Sequence, residues 1–237
     1  MNSSFNTELE NWVIKEKLAL QLINYASTLY FEKNVELVLF RRKIVDKGVT
    51  EVINDHAFAR KFAKINISLE NSVEFAKAMC ALDLAPSKID IGRLEDEWQK
   101  ESANFSSILA FLEIKLAAYI GKDKINLIPK DVVLYGFGRI GRLAARILTE
   151  QVGVGGQLRL KAIVVRKNGD DDLAKRASLL RKDSVHGKLA GTVTIDHENE
   201  RLIVNGNAIQ MIYANHPREV DYTKYDINNA LVIDNMG

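Results

Sequence analysis

"DVVLYGFGRIGRLAARILTE", residues 131–150, decides the fold of half this chain. A short β-branched run ending at Tyr135 leads into a glycine-rich turn, and an amphipathic helical pattern follows. Gly136, Gly138 and Gly141 stand in G-x-G-x-x-G order. Strand before and helix after is the context that gives this motif meaning. The first glycine permits the sharp bend, the second keeps a Cβ away from a pyrophosphate, and the third lets the helix lie close to the strand. The free N–H groups of Arg139 and Ile140 would then face phosphate oxygens, aided by the helix dipole. The reading is dinucleotide binding. Its competitor is a tight turn that needs glycine only for packing.

Downstream, "LKAIVV" (160–165) and "NALVID" (229–234) are further β-branched runs of the kind buried on both faces of a parallel sheet. Between them "LAGTVTIDHENERLIVNGNAIQMIY" (189–213) alternates in polarity around Asn205-Gly206, a strong hairpin signal. Upstream the period is helical. Thr7 and Glu10 form a capping-box pattern near Leu9, Trp12, Val13, Leu20 and Ile23, which have helical spacing. "VTEVINDHAFARKFAKI" (49–65) and "ISLENSVEFAKAMCALDL" (67–84) predict two more helices. "NFSSILAFLEIKLAAYIG" (104–121) puts Leu109, Leu112, Leu116 and Ile120 on one face, with Gly121 as C-cap. "VELVLFRRKIV" (35–45) suits strand or helix and is assigned helix. "GKDKINLIPK" (121–130) is the natural joint.

Composition narrows the partners. The 237 residues leave room for one large or two small domains, and 47% hydrophobic content can build a core without disulfides. The single cysteine, Cys80, favours a reducing compartment. A net charge of +2 gives no general reason to expect nucleic acid or an anionic membrane. "MNSSFNTELENW" (1–12) is polar too early for a signal peptide, and no run is apolar enough to span a bilayer. A soluble cytoplasmic protein is expected.

The ribose site departs from the common pattern. A NAD-binding fold places an acidic residue ~20 residues beyond the glycines, yet the second strand ends in Arg166 and Lys167. Two cations there would suit a 2′-phosphate, favouring NADP. They read equally well as solvated loop charges. Asp170, Asp171 and Asp172 suit the start of the helix "LAKRASLLRK" better than a cation site. His56, His186, His197 and His216 have no zinc spacing, so no metal ligands are assigned. "FRRK" (40–43) reads as a solvated face.

"GFGRIGR" (136–142), "KDSVHG" (182–187) and "LIVNGNAIQMIY" (202–213) together resemble the cofactor domain of glyceraldehyde-3-phosphate dehydrogenase, in order and spacing. "LVIDNMG" would be its last strand here. The resemblance covers about residues 130–237. The first half looks like the N-terminal extension of long bacterial forms. The resemblance implies that Gly136, Phe137, Gly138, Arg139, Ile140 and Gly141 hold the pyrophosphate, and that Asn235 and Gly237 lie at the cofactor cleft. Arg166 and Lys167 replace the family's usual Asn-Asp, Tyr135 its Asn, and Met236 its Thr. The expected class is α/β: an all-helical region, 1–128, then the first part of a Rossmann-type NAD(P)-binding domain, 129–237, with an antiparallel hairpin excursion.

The family attacks its phosphorylated aldehyde substrate with a cysteine thiolate, while a histidine assists hydride removal. That cysteine lies in a Ser-Cys-Thr-Thr-Asn stretch, beyond the last strand reached here. Cys80, in an apolar helix pattern, is no substitute, and Ser184 with His186 is no catalytic pair. No catalytic residue is therefore assigned. The chain is expected to be a truncated, inactive portion of a phosphorylating dehydrogenase that binds NAD or NADP. An alternative is a non-enzymatic nucleotide-binding regulatory or interaction protein. An oxidoreductase of another Rossmann-like family fits the motifs beyond the glycines poorly. The family is usually tetrameric, which leaves a homo-oligomer open.

Overall fold

The computed structural model describes residues 2–63, 67–121, 129–150, 158–185 and 187–236. The chain divides into two compact units, Met1–Asn126 and Leu127–Gly237. Residues 122–128, most of the anticipated joint, lie outside the described residues. Among the described residues no helix is long and apolar enough to cross a membrane.

The first unit contains α1 (Asn2–Lys33), β1 (Val35–Leu39), β2 (Arg42–Lys43), α2 (Val49–Ala63), α3 (Leu69–Ala81), β3 (Ser87–Asp90), α4 (Ile91–Glu101) and α5 (Ile108–Lys115). Its core gathers Leu22 and Leu29 of α1, Phe75 of α3 and Phe111 of α5. Trp98 and Phe105 close an edge-to-face aromatic cluster around Phe111.

This unit corrects the expectation of an all-helical region. Residues 35–45 are strand and turn, in a three-stranded sheet of order β2-β1-β3. β1 pairs parallel with β3, Val35 opposite Ser87. Asn34, at φ 55, ends α1, and Phe40 and Arg41 turn the chain at φ 45 and 70. The Asp90 carboxylate holds that turn by accepting from the Phe40 amide at 3.0 Å, and also caps α4. A helical reading fails because the apolar run finds a partner about fifty residues away.

Helix ends also differ. α1 begins at Asn2, so Thr7 and Glu10 lie inside it rather than at its start. α5 stops at Lys115, so Gly121, at φ 62, belongs to a later turn, and Leu109 is 39% exposed.

A polar chain crosses the apolar core of this unit. His56, Ser72 and Glu95 are all buried. His56 Nδ1 lies 2.8 Å from the Val52 carbonyl and Nε2 lies 2.9 Å from Ser72 Oγ. Ser72 Oγ shares a short hydrogen bond with Glu95 Oε1, and Glu95 Oε2 has no partner among the described residues.

The second unit contains β4 (Lys130–Tyr135), α6 (Arg139–Glu150), β5 (Leu158–Val165), α7 (Asp172–Arg181), the two-residue strands β6 (Lys182–Asp183) and β7 (Gly187–Lys188), β8 (Val193–Asp196), β9 (Arg201–Val204), β10 (Asn207–Tyr213) and β11 (Leu231–Asp234). The main sheet runs β11-β4-β5-β10-β9-β8. β11, β4, β5 and β10 are mutually parallel, and β9 and β8 are antiparallel additions. The hairpin falls where anticipated: Asn205 and Gly206, at φ 48 and 81, form its two-residue turn. One sheet face packs Val132, Leu134 and Ile163 against Ala145, Leu148 and Leu180 of α6 and α7. The other face buries Val133, Ala162 and Val164 with Ile227. β11 is an edge strand, and Leu231 and Val232 are 45% and 46% exposed.

Candidate functional site

The strand order places the glycine turn. From β4 the chain passes to β5 on one side, while β11 later takes the other side. The order reverses at β4, and open α/β sheets bind ligands at such a point, beyond the carboxyl ends of the strands. Gly136 follows the carboxyl end of β4 directly.

Each glycine answers a different constraint. Gly136 has φ 95, which side chains rarely adopt, and its amide donates to Val164 O at 2.9 Å. A Cβ there would meet Met236 Cγ at 3.1 Å and the Met236 amide nitrogen at 3.2 Å. A Cβ on Gly141 would stand 2.5 Å from the Gly136 carbonyl oxygen, so its constraint is packing of α6 on the turn. Gly138 is exposed, and a Cβ there would meet nothing within 4 Å. The described residues leave that space open, as approach by a ligand's pyrophosphate would require.

α6 begins at Arg139, so its first amides have no acceptor within the helix. Arg139 and Ile140 are exposed beside them, Ile140 at 66%. Phe137 is different: its ring is buried in the core under α6, leaving only its backbone at the turn. Asn235 donates its amide to Tyr135 O at 2.8 Å and abuts Gly141. Gly237 lies outside the described residues.

The structure joins two motifs that the sequence shows apart. Arg142 of "GFGRIGR" donates from Nε and Nη2 to Asp183 Oδ2 of "KDSVHG", at 3.0 and 2.7 Å, and both side chains are largely buried. Arg142 also donates to Phe137 O at 3.4 Å, and Arg146 donates from Nη2 to Leu180 O and Gly187 O. The loop after α7 thereby braces the turn. Sequence reading missed Arg142, Arg146 and Asp183; an arginine recurring one helical turn later on α6 was the available signal.

Arg166 and Lys167 follow β5 and are exposed. The Arg166 carbonyl accepts from Arg176, whose Nε donates to Asp172 at 2.6 Å. Asp172 is thus buried in an ion pair, and Asp171 is the N-cap residue without a side-chain cap bond. Lys167 Nζ sits 5.5 Å from the Tyr213 ring centroid. Burial, with Asp172 nearby, pushes the Tyr213 phenol up to about 12, so it stays protonated at neutral pH. The Arg166 guanidinium has no hydrogen-bond partner among the described residues.

Tyr135 turns away from the phosphate side. Its hydroxyl donates to Asn215 O at 2.9 Å. With His216, Tyr222 and Val232 it lines a groove of about 450 Å³ between the ends of β4 and β11. Cys80 belongs to the first unit, where burial pushes its thiol up, against the pull of Lys33. It carries no activated thiolate.

The fold and the turn together define a Rossmann-type dinucleotide-binding domain. Residues 130–237 match the family model for the NAD binding domain of glyceraldehyde 3-phosphate dehydrogenase. Residues 130–237 thus form a domain of the glyceraldehyde-3-phosphate dehydrogenase NAD-binding type, whose cofactor is a nicotinamide dinucleotide. It is 46% identical over 219 residues to a glyceraldehyde-3-phosphate dehydrogenase-like protein of Pseudomonas aeruginosa (strain UCBPP-PA14), covering 91% of this chain and 47% of that one. It is 34% identical over 106 residues to glyceraldehyde-3-phosphate dehydrogenase 1 of Bacillus subtilis (strain 168), 45% of this chain and 28% of that one. It is 33% identical over 103 residues to the enzyme of Ogataea parapolymorpha, 43% and 28%. The chain thus spans about half of the first relative and little more than a quarter of the others. The Pseudomonas match covers so much of the chain that it must extend well into the first unit.

Proposed function

We propose that this chain supplies the cofactor-binding function of a phosphorylating, cytoplasmic glyceraldehyde-3-phosphate dehydrogenase. The observation that carries this reading is the open space at Gly138 beside the free amides of α6, at the reversal of strand order. The backbone from Gly136 to Gly141 would hold the pyrophosphate, and Asn235 would border the cleft. A bound nicotinamide dinucleotide would supply the hydride acceptor for aldehyde oxidation. This chain's residues bind and orient it, and Arg142 and Asp183 keep the turn in shape. Oxidation of the phosphorylated aldehyde needs a thiolate that Cys80 does not provide.

Gly138→Val tests the assignment. The protein is expected to keep its fold and stability, because the new side chain enters open space. Cofactor affinity, followed by titration calorimetry, should fall roughly a hundredfold. Unchanged affinity would reduce the turn to a packing device.

The same reading favours NADP over NAD, because Arg166 and Lys167 stand where an aspartate would take the ribose. The free guanidinium of Arg166 can grip a 2′-phosphate bidentately. Arg166→Asp is expected to weaken NADP binding by roughly tenfold or more while NAD binding holds or improves. Equal affinity of the unaltered chain for the two cofactors would defeat the preference.

A second reading is a non-enzymatic nucleotide-binding regulatory or interaction protein, in which the same turn holds a dinucleotide without turnover. Phosphate-dependent reduction of NAD or NADP by this chain would overturn it. Cofactor binding without turnover fits both readings.

A further inference from the structure

The start of the loop after β5 is held at three points. Val165 ends β5 opposite Tyr213, which ends β10, and the Ala214 amide donates to the Val165 carbonyl at 3.0 Å. The Arg166 carbonyl accepts from Arg176 Nη2 at 2.9 Å. Arg176 is itself fixed by the buried Asp172 carboxylate at 2.6 Å. The Lys167 ammonium lies 5.5 Å from the Tyr213 ring centroid, within cation–π reach. Gly169, at φ 85, then turns the chain toward α7.

Two merely solvated loop cations would need none of these anchors. A free lysine samples many rotamers, and an anion that binds it must first stop that motion. Tyr213 removes part of that cost before a ligand arrives. Its ring packs on the core that includes Leu173 and Ala177 of α7, and its phenol faces the Asp172 carboxylate. Arg166 is the complement: its side chain is exposed, and its guanidinium has no hydrogen-bond partner among the described residues. Both cations stand at the carboxyl edge of the sheet, one strand over from the glycine turn. One cation held and one free to close suits a phosphate monoester, whose oxygens can accept from both.

On the reading that the chain prefers NADP, we propose that Tyr213 is a positioning residue for the 2′-phosphate. Its ring holds the Lys167 ammonium at the end of β5, and Arg166 closes on the phosphate beside it.

The full chain is titrated with NADP and with NAD by calorimetry, with circular dichroism to verify that each variant is folded. Tyr213→Leu should lower NADP affinity roughly two- to fivefold and leave NAD affinity unchanged, since NAD has no 2′-phosphate. Tyr213→Phe keeps the ring face and should keep the affinity for NADP. Lys167→Met, a change at an exposed side chain, should lower NADP affinity at least as far as Tyr213→Leu. In the Lys167→Met background Tyr213→Leu should have no further effect, a coupling that a merely structural tyrosine would not show. In a chain that does prefer NADP, three results overturn the proposal and leave the preference standing. They are a Tyr213→Leu variant that spares NADP, one that weakens both cofactors alike, and one that acts equally with and without Lys167. A Tyr213→Phe variant as weak for NADP as Tyr213→Leu also overturns it, because the ring would not be what holds the lysine. An unaltered chain that binds both cofactors equally defeats the NADP reading and this proposal together.

Discussion

Gly141→Val is expected to unfold the second unit while sparing the first. The β-carbon would stand 2.5 Å from the Gly136 carbonyl oxygen, which is backbone and cannot swing aside. Relief requires α6 to lift from the turn that starts it, carrying Ala145 and Leu148 out of the core. Overpacking of this kind costs about 3 kcal/mol or more when the obstruction is main chain. Even Gly141→Ala should destabilise, although alanine in an open helix position gains about 1 kcal/mol over glycine. The sign reversal distinguishes a packing glycine from a merely permissive one. Both tryptophans, Trp12 and Trp98, lie in the first unit. Tryptophan fluorescence should therefore report an unaltered transition, while far-ultraviolet circular dichroism and protease resistance reveal loss of the second. A Gly141→Val protein with both transitions intact would mean that α6 is not seated as described.

Glu95→Gln is expected to make the first unit more stable than wild type at pH 8 and nearly unchanged at pH 4. The hydrogen bonds set the direction. A carbonyl can only accept, so His56 Nδ1 carries the proton toward Val52 O. With the ring neutral, Nε2 accepts from the Ser72 hydroxyl and Ser72 Oγ accepts from a protonated Glu95, whereas with Glu95 ionised Ser72 donates to Oε1. The chain is complete when Glu95 is the acid. As carboxylate it takes the Ser72 proton, and Nε2 is left facing a lone pair. Burial pushes the Glu95 carboxyl up from 4.5 to about 7, against the pull of Ser72 and the Ser68 amide. A folded-state value above the unfolded one means stability is full below 4.5 and declines as pH rises toward 7. The loss is roughly 3 kcal/mol at its largest. Glutamine cannot ionise and keeps an N–H donor, so it escapes that loss. His56 acts oppositely: burial lowers its value from 6.5, so its contribution is lost as pH falls below 6.5. Urea unfolding followed by Trp98 fluorescence at the two pH values checks this. Parallel wild-type and variant curves would show that Glu95 is not held as the acid.

Local signals were legible and non-local ones were not. The hairpin at Asn205-Gly206 could be read because a two-residue turn with positive φ leaves its mark on adjacent residues. The strand–turn–helix around Gly136 was readable for the same reason. Residues 35–45 were misread because their strand character depends on Ser87–Asp90, and nothing nearby announces that partner. Thr7 and Glu10 matched a capping box, yet the helix began earlier. Phe137 sat inside a binding motif, but its ring belongs to the core.

The sequence by itself supplied the residues of the candidate site: three glycines, the amides that follow them and two cations where an acid is common. It also carried the likeness of residues 130–237 to the glyceraldehyde-3-phosphate dehydrogenase NAD-binding domain, through strings whose order survives without coordinates. Only the tertiary structure decided what each glycine is for. Gly141 is constrained by a carbonyl five residues back, Gly136 by Met236 a hundred residues on, and Gly138 by nothing within the described protein. It alone brought Arg142 to Asp183 and buried Glu95 beside Ser72. Such pairings depend on distances between segments remote in the chain. Periodicity and turn chemistry act over a few residues, whereas packing and burial are settled only when the whole unit closes.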